Sequence, residues 1–183
     1  MSGITTLLER MQQGDARARD ELFSAAYTDL QRLARARLRD GGRNAVLDTT
    51  SLVHESYLRF IGIGELLVED RRAFFRYASQ VMRSVIIDSA RERMAERRGG
   101  NLPKLTLNSR LLADVRNDEE AILRLHEALE VLAQADPRMA QVVEMRYFGG
   151  YTDREIAETL EVAERTVQRD WEKARLILAA ALE

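Results

Sequence analysis

Apolar residues recur every three or four positions along most of this chain, the spacing that lines one face of an α-helix. Leu22, Phe23, Ala26, Leu30, Leu33 and Ala34 mark the first such stripe. It lies within a helical stretch over residues 5–39, which a break at Gly14-Asp15 divides in two. The run Asp40-Gly41-Gly42-Arg43-Asn44 reads as a turn. A second helix is predicted from about residue 48 to 61, with Asp48, Thr49, Thr50 and Ser51 able to cap it and Glu55 close behind. Gly62 and Gly64 then open a loop. Phe74, Ala78, Val81, Met82, Val85 and Ile86 form the stripe of a long helix over residues 72–98, and Gly99-Gly100-Asn101-Leu102-Pro103 ends it. The next segment has no sustained stripe and reads as a linker, although Leu105, Leu107, Leu111 and Leu112 make it more than a polar tether.

Four helical patterns follow. Residues 119–135 carry Ile122, Leu125, Leu129 and Leu132. Asp136-Pro137 starts a helix that runs through Tyr147, with Asp as cap and Pro in the first turn, and Gly149-Gly150 stops it. Thr152 and Glu155 have capping-box spacing ahead of Ile156, Ala157 and Leu160. A break at Glu161-Val162-Ala163 precedes the last helix, over residues 164–182. No strand pattern and no fixed-period repeat competes, so the expected fold is all-α. The expected organisation is a helical domain over residues 1–98, a linker over 99–118 and a second helical domain over 119–183.

Composition narrows the function. The 183 residues contain no cysteine, only 2 prolines and 10 glycines. Disulfides, thiolate metal sites and cysteine catalysis are therefore excluded. His54 and His126 are the two histidines, too far apart in sequence to suggest a metal site. No metal or other cofactor is expected. No apolar run approaches the ~18 residues of a membrane span, and no secretory pattern opens the chain, so a cytoplasmic protein without a membrane partner is expected. The net charge of −2 rules out a global positive field for finding nucleic acid. Its distribution is more informative: residues 71–98 hold eight arginines against three acids, net +5, and residues 118–136 hold six acids against Arg124, net −5. Such polarity suggests two functional halves and makes a compact form held by their attraction conceivable.

The most specific local feature is YTDREIAETLEVAERTVQRDWEKAR, residues 151–175. A short capped helix, a tight turn and a longer helix make a helix-turn-helix. Small Ala157 suits the crossing, and Ile156, Leu160, Val162 and Val167 suit the core between the helices. Arg165, Thr166, Gln168, Arg169 and Lys173 gather on the second helix, where Arg can read guanine, Gln adenine, and Thr or Lys can hold phosphate. Asp170 and Glu172 oppose a purely electrostatic contact. The plainer reading is an αα-hairpin with solvated charges. Trp171 is expected to pack the last helix, and the apolar tail from Leu176 to Leu182 to close the core.

This half resembles region four of a bacterial RNA polymerase sigma factor of the extracytoplasmic-function (ECF) type. The other half supports the same family. GDARARDELFSAAYTDLQRLARARL looks like the first helices of region two, LVHESYLRF is similar to the family's "LVQE-aromatic-LR" signature, and FFRYASQVMRSVIIDSARERMAERR looks like the helix that engages promoter DNA. The resemblance covers nearly the whole chain, in order. It implies that region two binds the clamp coiled coil of the polymerase β′ subunit and opens the minus-ten element. Region four would bind the minus-thirty-five element and touch the β flap. Core RNA polymerase and promoter DNA are the implied partners, and no enzyme activity is expected. Polymerase contact falls on Asp48, Leu52, His54, Glu55 and Arg59. Promoter contact falls on Arg71, Arg72, Arg76, Arg91, Arg93, Arg97 and Arg98, beside the region-four set. Strand opening needs cations with aromatics near the bases; Phe74, Phe75 and Tyr77 are the aromatics at hand, and residues 62–70 the loop for a flipped base. Consecutive Phe74 and Phe75 cannot both face one groove, so at least one belongs to the core. The arginine-rich end of that helix also suits a solvated C-terminus.

One departure from the family stands out. Where relatives carry an acid-rich start of the kind DAEDLVQE, this chain reads DTTSLVHE, with hydroxyls at Thr50 and Ser51 in place of two carboxylates. Phosphorylation would restore about −1.5 to −2 charges per site, at a helix end that favours them. The expectation is a switch operated by a Ser/Thr kinase at Thr50, with Thr49 and Ser51 as alternatives; DTTSLVHE and RTVQRDW look like a subgroup associated with such kinases. The competing reading is that the hydroxyls only cap the helix. His54 stands where the family commonly has Gln and reads as a polar helix residue rather than a pH sensor. A stand-alone helix-turn-helix regulator would explain the second half but not the first. No nucleophile–base pair, phosphate loop or metal spacing suggests an enzyme.

Overall fold

The computed structural model describes residues 3–39, 49–62, 68, 70–98 and 119–182. The elements are α1 (Gly3–Gln12), α2 (Ala16–Arg39), α3 (Thr49–Gly62), α4 (Arg71–Arg98), α5 (Glu119–Ala135), α6 (Pro137–Val143), a π-helical turn (Glu144–Phe148), α7 (Asp153–Leu160) and α8 (Glu164–Leu182). The fold is all-α, and no strand occurs among the described residues. None of their helices is long and apolar enough to cross a membrane. The expected turn at 40–44 and the linker at 99–118 lie outside the described residues, as does most of the 62–70 loop.

Local chemistry explains the boundaries. Gly14 has φ +87°, the left-handed backbone that lets α1 turn into α2. Arg10 ties that corner by pairing with Asp15 and Glu21, each at 2.6 Å. The Asp70 carboxylate accepts from the Ala73 N–H at 2.8 Å as α4 begins. Asp136 accepts from the Met139 N–H at 3.0 Å, with Pro137 in the first turn of α6. Thr152 and Glu155 close the capping box reciprocally on α7. Glu161, at φ 56°, makes the left-handed turn between α7 and α8.

The expected helix from Asp136 through Tyr147 is instead α6 followed by the π-helical turn. A π-turn places one extra residue in the ring. Here it lets Glu144, Met145, Tyr147 and Phe148 all face inward. A regular 3.6-residue period would turn part of that run to solvent, which is why an apolar stripe alone does not reveal it.

Helix α4 is the central element. One side packs on α3, where Leu52, Phe60, Phe74 and Met82 are buried. Another side receives α5, the π-turn and α7. The buried side chains of both halves form one continuous cluster, from Leu8, Leu30 and Leu33 to Leu125, Met145, Ile156 and Leu178.

Candidate nucleic-acid and polymerase interfaces

Helix α8 has two chemically distinct sides. Val167, Asp170, Ala174 and Leu178 are buried. Arg165, Gln168, Arg169 and Lys173 are exposed, and Thr166 is half-buried. At about 100° per residue, the exposed four share one face opposite the buried set. Ile156 and Val167 are fully enclosed between α7 and α8, while Leu160 and Val162 pack at the edge of that core. The geometry is therefore that of a helix-turn-helix presenting a basic, amide-bearing strip.

Asp170 departs from the expectation that it opposes groove contact. It is buried, and Arg138 from α6 donates to it at 2.8 Å. The pair anchors α8 to α6, so this carboxylate contributes little to the outer face. Trp171 is half-buried beneath the Arg146 guanidinium, 4.6 Å from its ring centre. Arg146 also pairs with Asp153 at the start of α7.

The other basic candidates are spread along α4. Arg71 pairs with Asp29 of α2 at 2.9 Å and lies 4.8 Å above the Phe75 ring. Arg72 pairs with Glu161. Arg76 is half-buried. Arg91 reaches Asp88 at 3.4 Å, and Arg93 is half-buried. The side chains of Arg97 and Arg98 lie outside the described residues.

The aromatic part of the expectation needs correction. Phe74 and Phe75 are both buried. Phe74 stacks on Phe60 at 5.6 Å inside the first half, and Phe75 meets Tyr151 edge-on at 6.4 Å in the second. Consecutive helical residues point about 100° apart, and here both directions lead into protein. Tyr77, half-buried against Phe60 at 5.3 Å, is no freer base platform.

On α3, Thr50, His54 and Glu55 are exposed and Ser51 is half-buried, whereas Leu52 is fully enclosed and offers no surface to a partner. Arg59 pairs with Asp88 at 2.6 Å. The first turn of α3 contains no acid. Asp48 and the Thr49 side chain lie outside the described residues.

Sequence reasoning missed the group around Arg83. This guanidinium donates to Glu144 at 2.9 Å, to Glu130 at 2.5 Å and to the Nδ1 of His126 at 2.7 Å. Burial pushes the Glu144 carboxyl above its ordinary range, against the pull of Arg83. Burial and the neighbouring Arg83 charge push His126 the other way, toward the neutral imidazole that accepts this bond. A glutamate among the apolar residues of VVEMRYF was the available signal, since a charge on an inward face demands a partner.

A family model for ECF sigma factors matches residues 1–183, and the chain belongs to that family. No curated protein matches it. Family membership makes this a regulatory protein of transcription that binds RNA polymerase and directs it to promoters. Its partners are accordingly core RNA polymerase and promoter DNA.

Proposed function

We propose that two modules, residues 1–98 and 119–183, divide the promoter between them. The outer face of α8, with Arg165, Thr166, Gln168, Arg169 and Lys173, reads the minus-thirty-five element in the major groove and holds its phosphates. The arginines of α4 hold the duplex beside the minus-ten element while it opens. Exposed His54 and Glu55 on α3, with Arg59, face the polymerase β′ clamp, and the second module also meets the β flap. The site of action is the cytoplasm, where core enzyme and promoter meet. The observation that carries this reading is the two-sided chemistry of α8, buried Val167, Asp170, Ala174 and Leu178 opposite four exposed polar and basic residues.

Binding to the clamp is switched on by a Ser/Thr kinase acting at Thr50. Support comes from exposed Thr50 in a first turn that holds no carboxylate. A phosphate there supplies anionic charge next to the positive helix end. Run-off transcription with core polymerase tests both parts, using wild type, Thr50→Ala and Thr50→Glu, each with and without kinase. The expected result is transcription by phosphorylated wild type and by Thr50→Glu, and none by Thr50→Ala under either condition. Equal, tight clamp binding by unmodified wild type and Thr50→Ala would remove the switch. Specific duplex binding without core enzyme, and no transcription with it, would return the stand-alone regulator.

A further inference from the structure

The π-turn buries four of its five residues and leaves Arg146 at its edge. From there the guanidinium reaches both helices of the helix-turn-helix. It pairs with Asp153, the first residue of α7, and lies over the Trp171 ring of α8, 4.6 Å from its centre. Asp170, next to Trp171, is held by Arg138 of α6 at 2.8 Å and also faces Arg169 at 3.6 Å. Arg138 and Arg146 are not among the residues assigned above to DNA or polymerase.

We infer that Arg146 is a positioning residue for promoter readout: together with Arg138 it fixes the roll of α8 about its own axis and so aims the base-reading strip. The inference rests on the assignment of the outer face of α8 to the minus-thirty-five element. Helical geometry carries it. Buried Val167 and Ala174 mark the seam along which α8 rests on the protein. At about 100° per residue, Asp170 stands about 50° to one side of that seam and Trp171 about 50° to the other. A cation grips each flank, so a roll in either sense pulls at both grips. Apolar packing does not hold roll in this way. The burial of Ile156 and Val167 stabilises the pair of helices without direction, whereas an ion pair and a cation over a ring face are directional.

Readout of bases is sensitive to roll and phosphate contact much less so. Side-chain tips lie about 5–6 Å from a helix axis, so a roll of about 20° carries Arg165 or Gln168 sideways by about 2 Å. Hydrogen bonds to a base edge hold over a window of only about 0.5 Å. A lysine on its flexible stem can follow a phosphate through the same displacement. Loss of Arg146 should therefore remove sequence selectivity and leave the salt-dependent grip. Asp153 sits in the first turn of α7, where a carboxylate suits the helix end, so Arg146→Met strands no charge.

The test compares wild type, Arg146→Met, Trp171→Leu and the double variant, with Gln168→Ala as reference. Holoenzyme, made from whichever phosphorylation state of the chain binds core polymerase, is titrated across a salt series. The ligands are fragments with an intact minus-thirty-five element and fragments with single base-pair changes in it. Arg146→Met should lower the ratio of intact to changed binding about fivefold or more, with the slope of the salt dependence unchanged. Trp171→Leu should show a comparable loss, and the double variant no more than the larger single loss, because the same brace is removed twice. Trp171 is the chain's single tryptophan, so its fluorescence in the free chain reads the brace without DNA. Arg146→Met should free the ring and lower its anisotropy. Unchanged selectivity or unchanged anisotropy in Arg146→Met, additive losses in the double variant, a shallower salt slope, or loss of the whole fold of Arg146→Met by circular dichroism would each overturn the inference. Full selectivity in Gln168→Ala would instead sink the base-reading role of α8, and the anisotropy then decides the brace by itself.

Discussion

Arg83→Met should destabilise the protein at pH 7 and do much less harm at pH 5, because most of its cost belongs to Glu144. That carboxyl is nearly enclosed, and Arg83 holds it at 2.9 Å. Burial raises its folded pKa even with the guanidinium in place. Its contribution therefore favours folding most below its ordinary value of 4.5 and is lost as pH rises through the raised folded value. Without Arg83, the carboxyl avoids an unpaired buried charge by keeping its proton. Holding a proton against an unfolded pKa of 4.5 costs at most about 3.4 kcal/mol at pH 7 and about 1 kcal/mol at pH 5. His126 acts in the same direction. Its folded pKa is lowered, so its contribution is present above 6.5 and lost as pH falls, and removing the Arg83 charge relieves part of that loss. Urea denaturation of wild type, Arg83→Met, Glu144→Gln and the double variant at pH 5 and pH 7 separates the terms. Arg83→Met should lose up to about 3 kcal/mol at pH 7. Adding Glu144→Gln should recover most of that, since a neutral amide asks far less of its surroundings. An equal loss at both pH values, or no recovery by Glu144→Gln, would refute the assignment of the cost to a stranded carboxylate.

Three further predictions concern the helix-turn-helix. Thr152→Ala removes the hydroxyl that accepts from the Glu155 N–H at 3.3 Å and opens the capping box, which should cost about 1 kcal/mol in denaturant melts. On the outer face of α8, Gln168→Ala should lower polymerase-dependent promoter binding by about 1–3 kcal/mol and relax selectivity at one base pair. Lys173→Ala should instead weaken all sequences alike and shallow the log–log salt dependence by about one. Filter binding of holoenzyme to promoter fragments across a salt series distinguishes the two; equal salt slopes for the wild type and Lys173→Ala would remove the phosphate role of Lys173.

Features governed by nearby residues were legible in the sequence. The Gly14 corner, the Asp136-Pro137 start, the Thr152–Glu155 box and the α7–α8 turn each depend on partners within about five positions, and each stands where the residue types put it. The outer face of α8 was legible for the same reason, since its period is set by the helix itself. Asp170 was misread because a carboxylate on an amphipathic helix looks solvated until its partner is known, and Arg138 lies 32 residues away. The π-turn was hidden because its inward residues no longer obey the 3.6-residue period that identifies helices.

The docking of the halves escaped a residue-level reading for a reason that bears on function. Arg83 looks like any basic residue of a helix built to hold DNA, and its partners Glu130 and Glu144 lie 47 and 61 positions on. A helix that grips phosphate needs arginines along its length, and so does one that must be shielded by an acidic partner. The same charge pattern thus suits two ligands, nucleic acid and the chain's own second half. Coulomb attraction alone cannot separate them, because salt screens both. Burial does: Glu144 is enclosed and geometrically fixed on Arg83, whereas phosphate contacts stay solvated. Exposed arginines such as Arg91 and Arg165 suit phosphate, and Arg83 suits the chain's own second half. A sequence in which every arginine of α4 served DNA would have no need of a glutamate inside the apolar turn at 144–148.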